Sequence, residues 1–311
     1  MGVAAAVLAA PFAVFYARSP VLVVTEAPFF ALYGQTRLKT EQKAAARALF
    51  RRVKPVPVAD GVSPDMVIIA ITQTARRPRC VLFPRSQAQA ALRFHEQFPP
   101  IPAVVLSGLV SVPEITFPDG ILCVFGTNRE VDMYRAGLFA GILGVSRRKP
   151  PSQTEKQDEK PPETAAAPAA AAQTYVFWQD NYMPPAGREL FSRGVREQDP
   201  ESNAIFINIA TQLPDSRGIA GITLTGAGAE YLERKETVPI ILFGWLDPAL
   251  LPREVVAQFD DSAWALAVPA VRMALGGQAE GKIPSKPLIF SPKIADNSIF
   301  RMLEKSAKKT P

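Results

Sequence analysis

Two stretches decide the fold of this chain: FGTNREVDMYRAGLFAGILG at residues 125–144 and FDDSAWALAVPAVRMALGG at residues 259–277. Each starts on Phe, turns through polar residues and an acid, and continues as an Ala-rich helix that ends in Gly. Gly just past the last apolar residue of a helix is a common stop signal. The stretches that open the two halves match as loosely: VLVVTEAPFFALYG at 21–34 and TYVFWQDNYM at 174–183, each an apolar strand running into an acid and aromatics. The likeness is one of pattern, not of identical residues. It predicts one architecture used twice.

Outward from these stretches, short apolar runs alternate with helical spacing. Predicted strands are Val21–Thr25, Met66–Thr72, Cys80–Phe83, Ala103–Ser107 and Ile121–Phe125, then Tyr175–Trp178, Ala204–Ile209, Gly221–Thr225, Val238–Phe243 and Leu288–Phe290. Predicted helices are Phe29–Val53, Ser86–Gln97, Val131–Leu143, Pro185–Gln198, Ala227–Lys235 and Ser262–Leu275. The strand runs are continuously apolar and β-branched, as parallel strands covered on both faces require. Alternation of such strands with helices predicts an α/β fold of two doubly wound parallel-sheet lobes. Between them residues 146–173, SRRKPPSQTEKQDEKPPETAAAPAAAAQ, hold no aromatic or branched apolar side chain. Such a segment buries too little to offset its ordering entropy, so a disordered Pro/Ala-rich linker is expected there. The expected domains are a first lobe at 20–145, a second lobe at 174–300 and a basic tail at 301–311.

Composition narrows the function. The 311 residues are 48% hydrophobic and 21% charged, which suits about two folded domains. Two Cys and one His exclude a zinc site of four Cys/His ligands and a disulfide-built scaffold. Cys80 and Cys123 fall in strand-like runs, where Cys acts as a small buried hydrophobe. The net charge of +6 gathers in Arg37, Lys39, Lys43, Arg47, Arg51, Arg52 and Lys54 and again in Arg301, Lys305, Lys308 and Lys309. Charge runs of this kind read as a solvated helix face and a tail, and no nucleic-acid motif accompanies them.

Residues 1–16 are nearly all apolar and carry no Lys or Arg. As a helix, Val3 to Ala17 would extend about 22 Å, short of the roughly 30 Å hydrocarbon core of a bilayer. That length fits the apolar core of an export signal or a membrane anchor, which is the expectation for residues 1–19.

With these patterns in place, the chain resembles the type I periplasmic-binding-protein superfamily, the fold of sugar receptors and of the effector domains of Lac-repressor-like regulators. The resemblance covers roughly 20–145 and 174–290. It rests on the duplicated βα pattern, on FGTNREVDMYRAGLFAGIL, and on the run from VPIILFGWLDPALLP (238–252) through FDDSAWAL to IPS (283–285). It implies a ligand cleft between the lobes, lined by loops after the carboxyl ends of the strands, where open α/β sheets bind ligands in general. The chain departs from the family in two places. A 28-residue linker occupies the first crossover, and only about twenty apolar residues precede the first strand, so no helix-turn-helix is expected there.

Candidate ligand-binding residues follow from position and chemistry. Glu26, Phe29, Phe30 and Tyr33 follow the first strand, and Asp180, Asn181 and Tyr182 mirror them in the second half. Aromatic faces stack on a sugar or base ring while carboxylates orient hydroxyls or amines. The same aromatics would equally serve as the buried start of a helix. Ser107 and Asn128 end later strands of the first half; Thr225, Asp260 and Trp264 do so in the second. Turn and cap residues share that composition. Gly226 and Gly228 lack the third Gly of a dinucleotide fingerprint, and no phosphate-binding P-loop occurs. His95 has no G-x-S-x-G nucleophile to pair with. These readings converge on an extracytoplasmic, non-enzymatic solute-binding protein, without metal or cofactor, that captures a small polar molecule such as a sugar or nucleoside between two lobes. A transport permease is the further partner this implies; nucleic acid is not expected. The alternative is a scaffold or partner-binding protein of the same fold with a degenerate cleft. A third reading is an enzyme for a phosphorylated substrate at Gly226–Gly228.

Overall fold

Val21, Leu22, Val23 and Val24 are all buried, and successive side chains of a strand point to opposite faces. Val21 and Val23 enter one apolar cluster, Leu22 and Val24 another. A strand with two buried faces belongs at the middle of a covered sheet, and β1 (Val21–Glu26) occupies such a place. It pairs in parallel with β2 (Val53–Val58) on one side and β3 (Cys80–Pro84) on the other. β4 (Ala103–Ser107), β5 (Leu122–Thr127) and β11 (Glu280–Ile283) extend the sheet in the order β11-β5-β4-β3-β1-β2. The computed structural model describes residues 15–107, 122–148, 173–178, 183–208, 222–225, 239–251, 254–294 and 296–311.

A second sheet repeats the plan. It is built of β6 (Gln173–Trp178), β7 (Asn203–Asn208), β8 (Ile222–Thr225), β9 (Ile240–Phe243), β10 (Val255–Asp260) and β12 (Lys286–Ile289), in the order β12-β10-β9-β8-β6-β7. In both sheets the first strand lies between the second and the third, so the strand order reverses beside it. The α/β class and the duplication expected from the sequence are present in the structure.

Several elements depart from the sequence reading. Met66–Thr72, expected as a strand, lies inside helix α3 (Pro64–Thr74). Short β-branched runs do not distinguish strand from helix; Pro64 at the first turn and Val67, Ile68 and Ile71 on one buried face settle it as a helix. The strand is instead VKPVPV of β2, where Pro55 and Pro57 are tolerated because β2 is an edge. The helix expected at Phe29–Val53 is two helices, α1 (Ala27–Tyr33) and α2 (Gln35–Leu49), broken at Gly34. Gly34 has φ +80°, and a Cβ there would come within 1.8 Å of Asp247 Oδ2.

The chain also divides differently from two contiguous lobes. Unit 1 takes its described residues from Met1–Asn128, Trp245–Leu250 and Asp260–Lys286, and unit 2 from Arg129–Gly244, Leu251–Phe259 and Pro287–Pro311. The helix of the first closing stretch, α5 (Arg129–Arg148), belongs to unit 2, and that of the second, α7 (Ala267–Leu275), to unit 1. Both closing stretches therefore cross over at their polar turns. In unit 2, α5 packs on α6 (Gly187–Gln198) with backbones nearly touching: a Cβ on Gly137 would lie 2.1 Å from the Phe191 carbonyl oxygen. The expected basic tail is largely a helix, α8 (Asn297–Ser306), started by Asp296, whose side chain accepts from the Ser298 amide at 2.6 Å. Leu303 is buried, and Arg135 Nε donates to the Lys309 carbonyl at 2.9 Å. The apolar segment 1–14, linker residues 149–172 and the helix expected at Ala227–Lys235 lie outside the described residues.

Candidate functional site

The carboxyl ends of β1 and β3 flank the place where the strand order of unit 1 reverses. Loops diverge there, and open parallel sheets hold their ligands in the crevice that results. β1 ends in Glu26, half-buried, and β3 continues into a short 3-10 turn, Arg85–Gln87. The Gln87 amide donates to Glu26 Oε1 at 2.8 Å, so one carboxylate oxygen is fixed across the reversal. Arg85 is partly exposed in the same turn. Further along the edge, Thr127 Oγ1 donates to the Ser107 carbonyl at 3.3 Å, and the Asn128 amide donates to the Ile283 carbonyl at 2.8 Å. The ends of β4, β5 and β11 are thereby tied into one rigid rim.

Beside this rim, α1 carries the aromatic cluster. Phe29 stacks on Tyr33 with centroids 4.5 Å apart and meets Trp245 at 4.6 Å; Phe30 is partly buried against the same core. Tyr33 is fully buried. Its hydroxyl donates to Asp260 Oδ2 at 3.1 Å, and Arg37 Nη2 donates to the same oxygen at 2.5 Å. Arg37 also stacks over the Tyr33 ring at 4.3 Å and donates to the Leu246 carbonyl at 2.6 Å. Asp260 Oδ1 accepts from the Ser262 amide at 2.9 Å. Burial raises the Asp260 carboxyl above the usual carboxylate range, although Arg37 pulls it down. Burial, then the charge of Asp260, pushes the Tyr33 phenol far above its ordinary value, with Arg37 again opposing. Trp264 is buried too, its indole N–H donating to Thr25 Oγ1 at 3.2 Å.

The predicted residues thus separate into two groups. Tyr33, Asp260 and Trp264 come together in unit 1, but their polar atoms are engaged with neighbouring residues in the core. Glu26, Ser107 and Asn128 line the strand edge, with Phe29 and Phe30 on the helix that follows β1. Thr225 ends β8, paired with Phe243 of β9 in unit 2. Asp180, Asn181 and Tyr182, together with Gly226 and Gly228, lie outside the described residues. Sequence reasoning missed Arg37, read as part of a solvated basic face, and Gln87. No signal in the sequence marks Arg37 as a stacking partner of Tyr33, because the break at Gly34 between the two helices sets their approach. Cys80 and Cys123 are buried as expected and form no disulfide, and burial raises both thiols. Among the described residues no group of three or more His, Cys, Asp or Glu is placed to hold a metal ion, and no helix is long and apolar enough to cross a membrane.

No family model matches the chain, and no curated protein matches it. Solved structures do. One is a transcriptional activator of the comK gene from Bacillus halodurans, with TM-score 0.56 and 11% identity over 94% of this chain and 100% of that one. Another is an ABC transporter system solute-binding protein from Conexibacter woesei, with TM-score 0.55 and 11% identity over 94% and 95% of the two chains. This chain has the type I periplasmic-binding-protein fold. At 11% identity the likeness reaches the fold and stops there. One neighbour is named for solute binding and the other for gene activation, so the fold serves both kinds of protein.

Proposed function

We propose that this protein is a non-enzymatic binding protein that takes a small polar molecule, of the sugar or nucleoside class, at the carboxyl edge of the unit 1 sheet. The observation that carries this reading is the Glu26 carboxylate, presented at the strand-order reversal and fixed through Oε1 by Gln87. A carboxylate held by one oxygen keeps acceptor capacity on the other for a hydroxyl or amine. Arg85 and Asn128 add donors along the edge, and Phe29 and Phe30 add apolar faces. An extracytoplasmic location, with a transport permease as partner, is supported by the uncharged apolar stretch 1–16 and by the solute-binding neighbour.

Native mass spectrometry of gently purified protein should reveal a co-purified small molecule. Calorimetry with that molecule should then show weaker binding for Glu26→Gln and Arg85→Gln. A hydrogen bond to a charged group contributes about 1.5–3 kcal/mol, so each loss should lie between roughly tenfold and a hundredfold. Unchanged affinity in both folded variants would refute the site. A scaffold without a small ligand is the second reading. It is favoured by the way Tyr33, Asp260 and Trp264 spend their polar atoms inside the unit. Absence of any co-purified molecule, together with no binding across panels of sugars and nucleosides, would select it.

A further inference from the structure

The opposite edge of the unit 1 sheet, where its strands begin, has a different chemistry. The segments leading into β1, β2 and β3 carry Arg18, Arg51, Arg52, Arg76, Arg77 and Arg79. These segments are joined: the Val21 amide donates to the Arg52 carbonyl at 2.9 Å and the Arg79 amide to the Pro20 carbonyl at 2.7 Å. Arg51 Nη1 donates to the Ser19 carbonyl at 3.4 Å and Arg52 Nη2 to the Arg18 carbonyl at 3.5 Å. Burial, and then the neighbouring charges of Arg79 and Arg18, lower the proton affinity of Arg51, as crowded like charges must. Among the described residues, acids at this edge are few: Glu96 in the last turn of helix α4 (Ala88–Gln97) and Glu280 at the start of β11. Among the described residues none of the six arginines is ion-paired to a carboxylate.

Aromatic side chains are set among these charges, and they face water. Tyr16 is 62% exposed and Phe50 45%. Phe15 joins them edge-on, at 5.5 Å from Tyr16 and 5.9 Å from Phe50. The Arg18 guanidinium lies 4.9 Å from the Phe50 ring and Arg52 lies 5.9 Å from Tyr16. Phe50 follows α2 with φ +49°, a left-handed conformation that normally falls to Gly at a helix end. A bulky side chain kept in that conformation and half in water points to a use outside the fold. In sequence, the uncharged apolar run of residues 3–14 immediately precedes Phe15 and Tyr16.

We infer that the amino edge of the unit 1 sheet is a docking surface for an anionic lipid membrane. The arginines meet headgroup phosphates, and Tyr16 and Phe50 enter the interfacial zone between headgroups and acyl chains. Arginine is suited to phosphate through its planar fork of donors, and Tyr and other amphipathic rings collect at that depth of a bilayer. Single-stranded nucleic acid would match both the charges and the aromatics, on which bases stack, but gives no reason for the uncharged apolar run that precedes them in sequence.

Flotation of the full chain with lipid vesicles tests this. Binding should be at least tenfold tighter to phosphatidylcholine vesicles containing phosphatidylglycerol than to phosphatidylcholine alone, and should weaken with salt. Near an anionic surface each basic residue contributes about 1 kcal/mol, or roughly fivefold. The triple variant Arg76→Gln, Arg77→Gln, Arg79→Gln should therefore lose on the order of a hundredfold. A control that removes the same charge elsewhere, Arg301→Gln, Lys305→Gln, Lys308→Gln, should lose less than threefold. Phe50→Gly, which suits the local backbone, should weaken vesicle binding with no loss of thermal stability. Equal losses in the two triple variants, equal binding to the two vesicle types, or tighter binding to single-stranded or duplex DNA at the same salt would each overturn the proposal.

Discussion

At the end of β1 stands Glu26, half-buried and hydrogen-bonded to Gln87 across the strand-order reversal of unit 1. At the end of β6, the strand in the same place in unit 2, stands Trp178: buried, its indole N–H without a hydrogen-bond partner among the described residues, and the Arg188 guanidinium 4.5 Å from its ring. Two sheets with one strand order present a carboxylate in one case and an aromatic with a cation in the other. Their helices are held differently too. Unit 1 secures α1 and α2 with the Tyr33–Arg37–Asp260 cluster, whereas unit 2 brings α5 and α6 together through Gly137 and Gly194. Strand order follows from where apolar residues recur, and many side chains satisfy it. Chemistry depends on single residues at the strand ends, and there the two copies have diverged.

Removing the buried carboxylate of unit 1 should have the largest effect. Asp260→Ala removes the carboxylate to which both the Arg37 guanidinium and the Tyr33 hydroxyl donate, leaving the Arg37 charge without its counter-ion, and should cost about 3–5 kcal/mol in denaturant unfolding. A loss below about 1 kcal/mol would mean that the cluster does not hold the unit.

Unit 2 is tested by Gly137→Ala. Helix propensity alone would favour Ala by about 1 kcal/mol. The added methyl meets the backbone of Phe191, which cannot rotate away, so a net loss of about 2 kcal/mol is expected. Thermal melts showing a gain would mean that the helices separate at little cost.

The two tryptophans should respond in opposite directions. Trp264→Phe gives up a bond to Thr25, worth about 1 kcal/mol, whereas Trp178→Phe removes a buried donor with no partner among the described residues, which is itself costly by about 1–3 kcal/mol. After allowing for similar losses of volume, the two variants should differ by about 2 kcal/mol in stability. Equal melting shifts would show that Trp178 finds a partner in solution.

The smallest effect concerns pH. The Tyr33 phenol is raised in the folded protein, so its contribution is complete below the ordinary tyrosine value of about 10. Above it the unfolded chain sheds the proton and the native state does not, and stability falls as pH rises. Tyr33→Phe should cost about 1 kcal/mol at neutral pH, and its stability should fall less steeply than that of the parent protein in alkali. Identical slopes in urea midpoints above that pH would contradict the burial of this hydroxyl.

Much of unit 1 was legible from residues such as Val21–Val24 and Ala103–Leu106, because a run buried on both faces leaves no polar position to confuse the pattern. Less was legible in β2, where Pro55 and Pro57 mask a strand that is permitted only because it is an edge. Of the candidate site, Glu26 was found from its place after an apolar strand. Arg37 was not, because in sequence it is one cation among seven along 37–54, and only burial beside Asp260 distinguishes it.

The parallel α/β class, the repeated architecture and the burial of both cysteines can be read from the amino-acid order, since each follows from hydrophobic pattern along a local stretch. Tertiary structure alone decided that α5 covers the second sheet and α7 the first. It also decided that Asp260 takes Tyr33 and Arg37, more than two hundred residues away, as its partners. An apolar helix face specifies that it must be covered, not which sheet covers it, and a charged side chain carries no local sign of the partner it will meet.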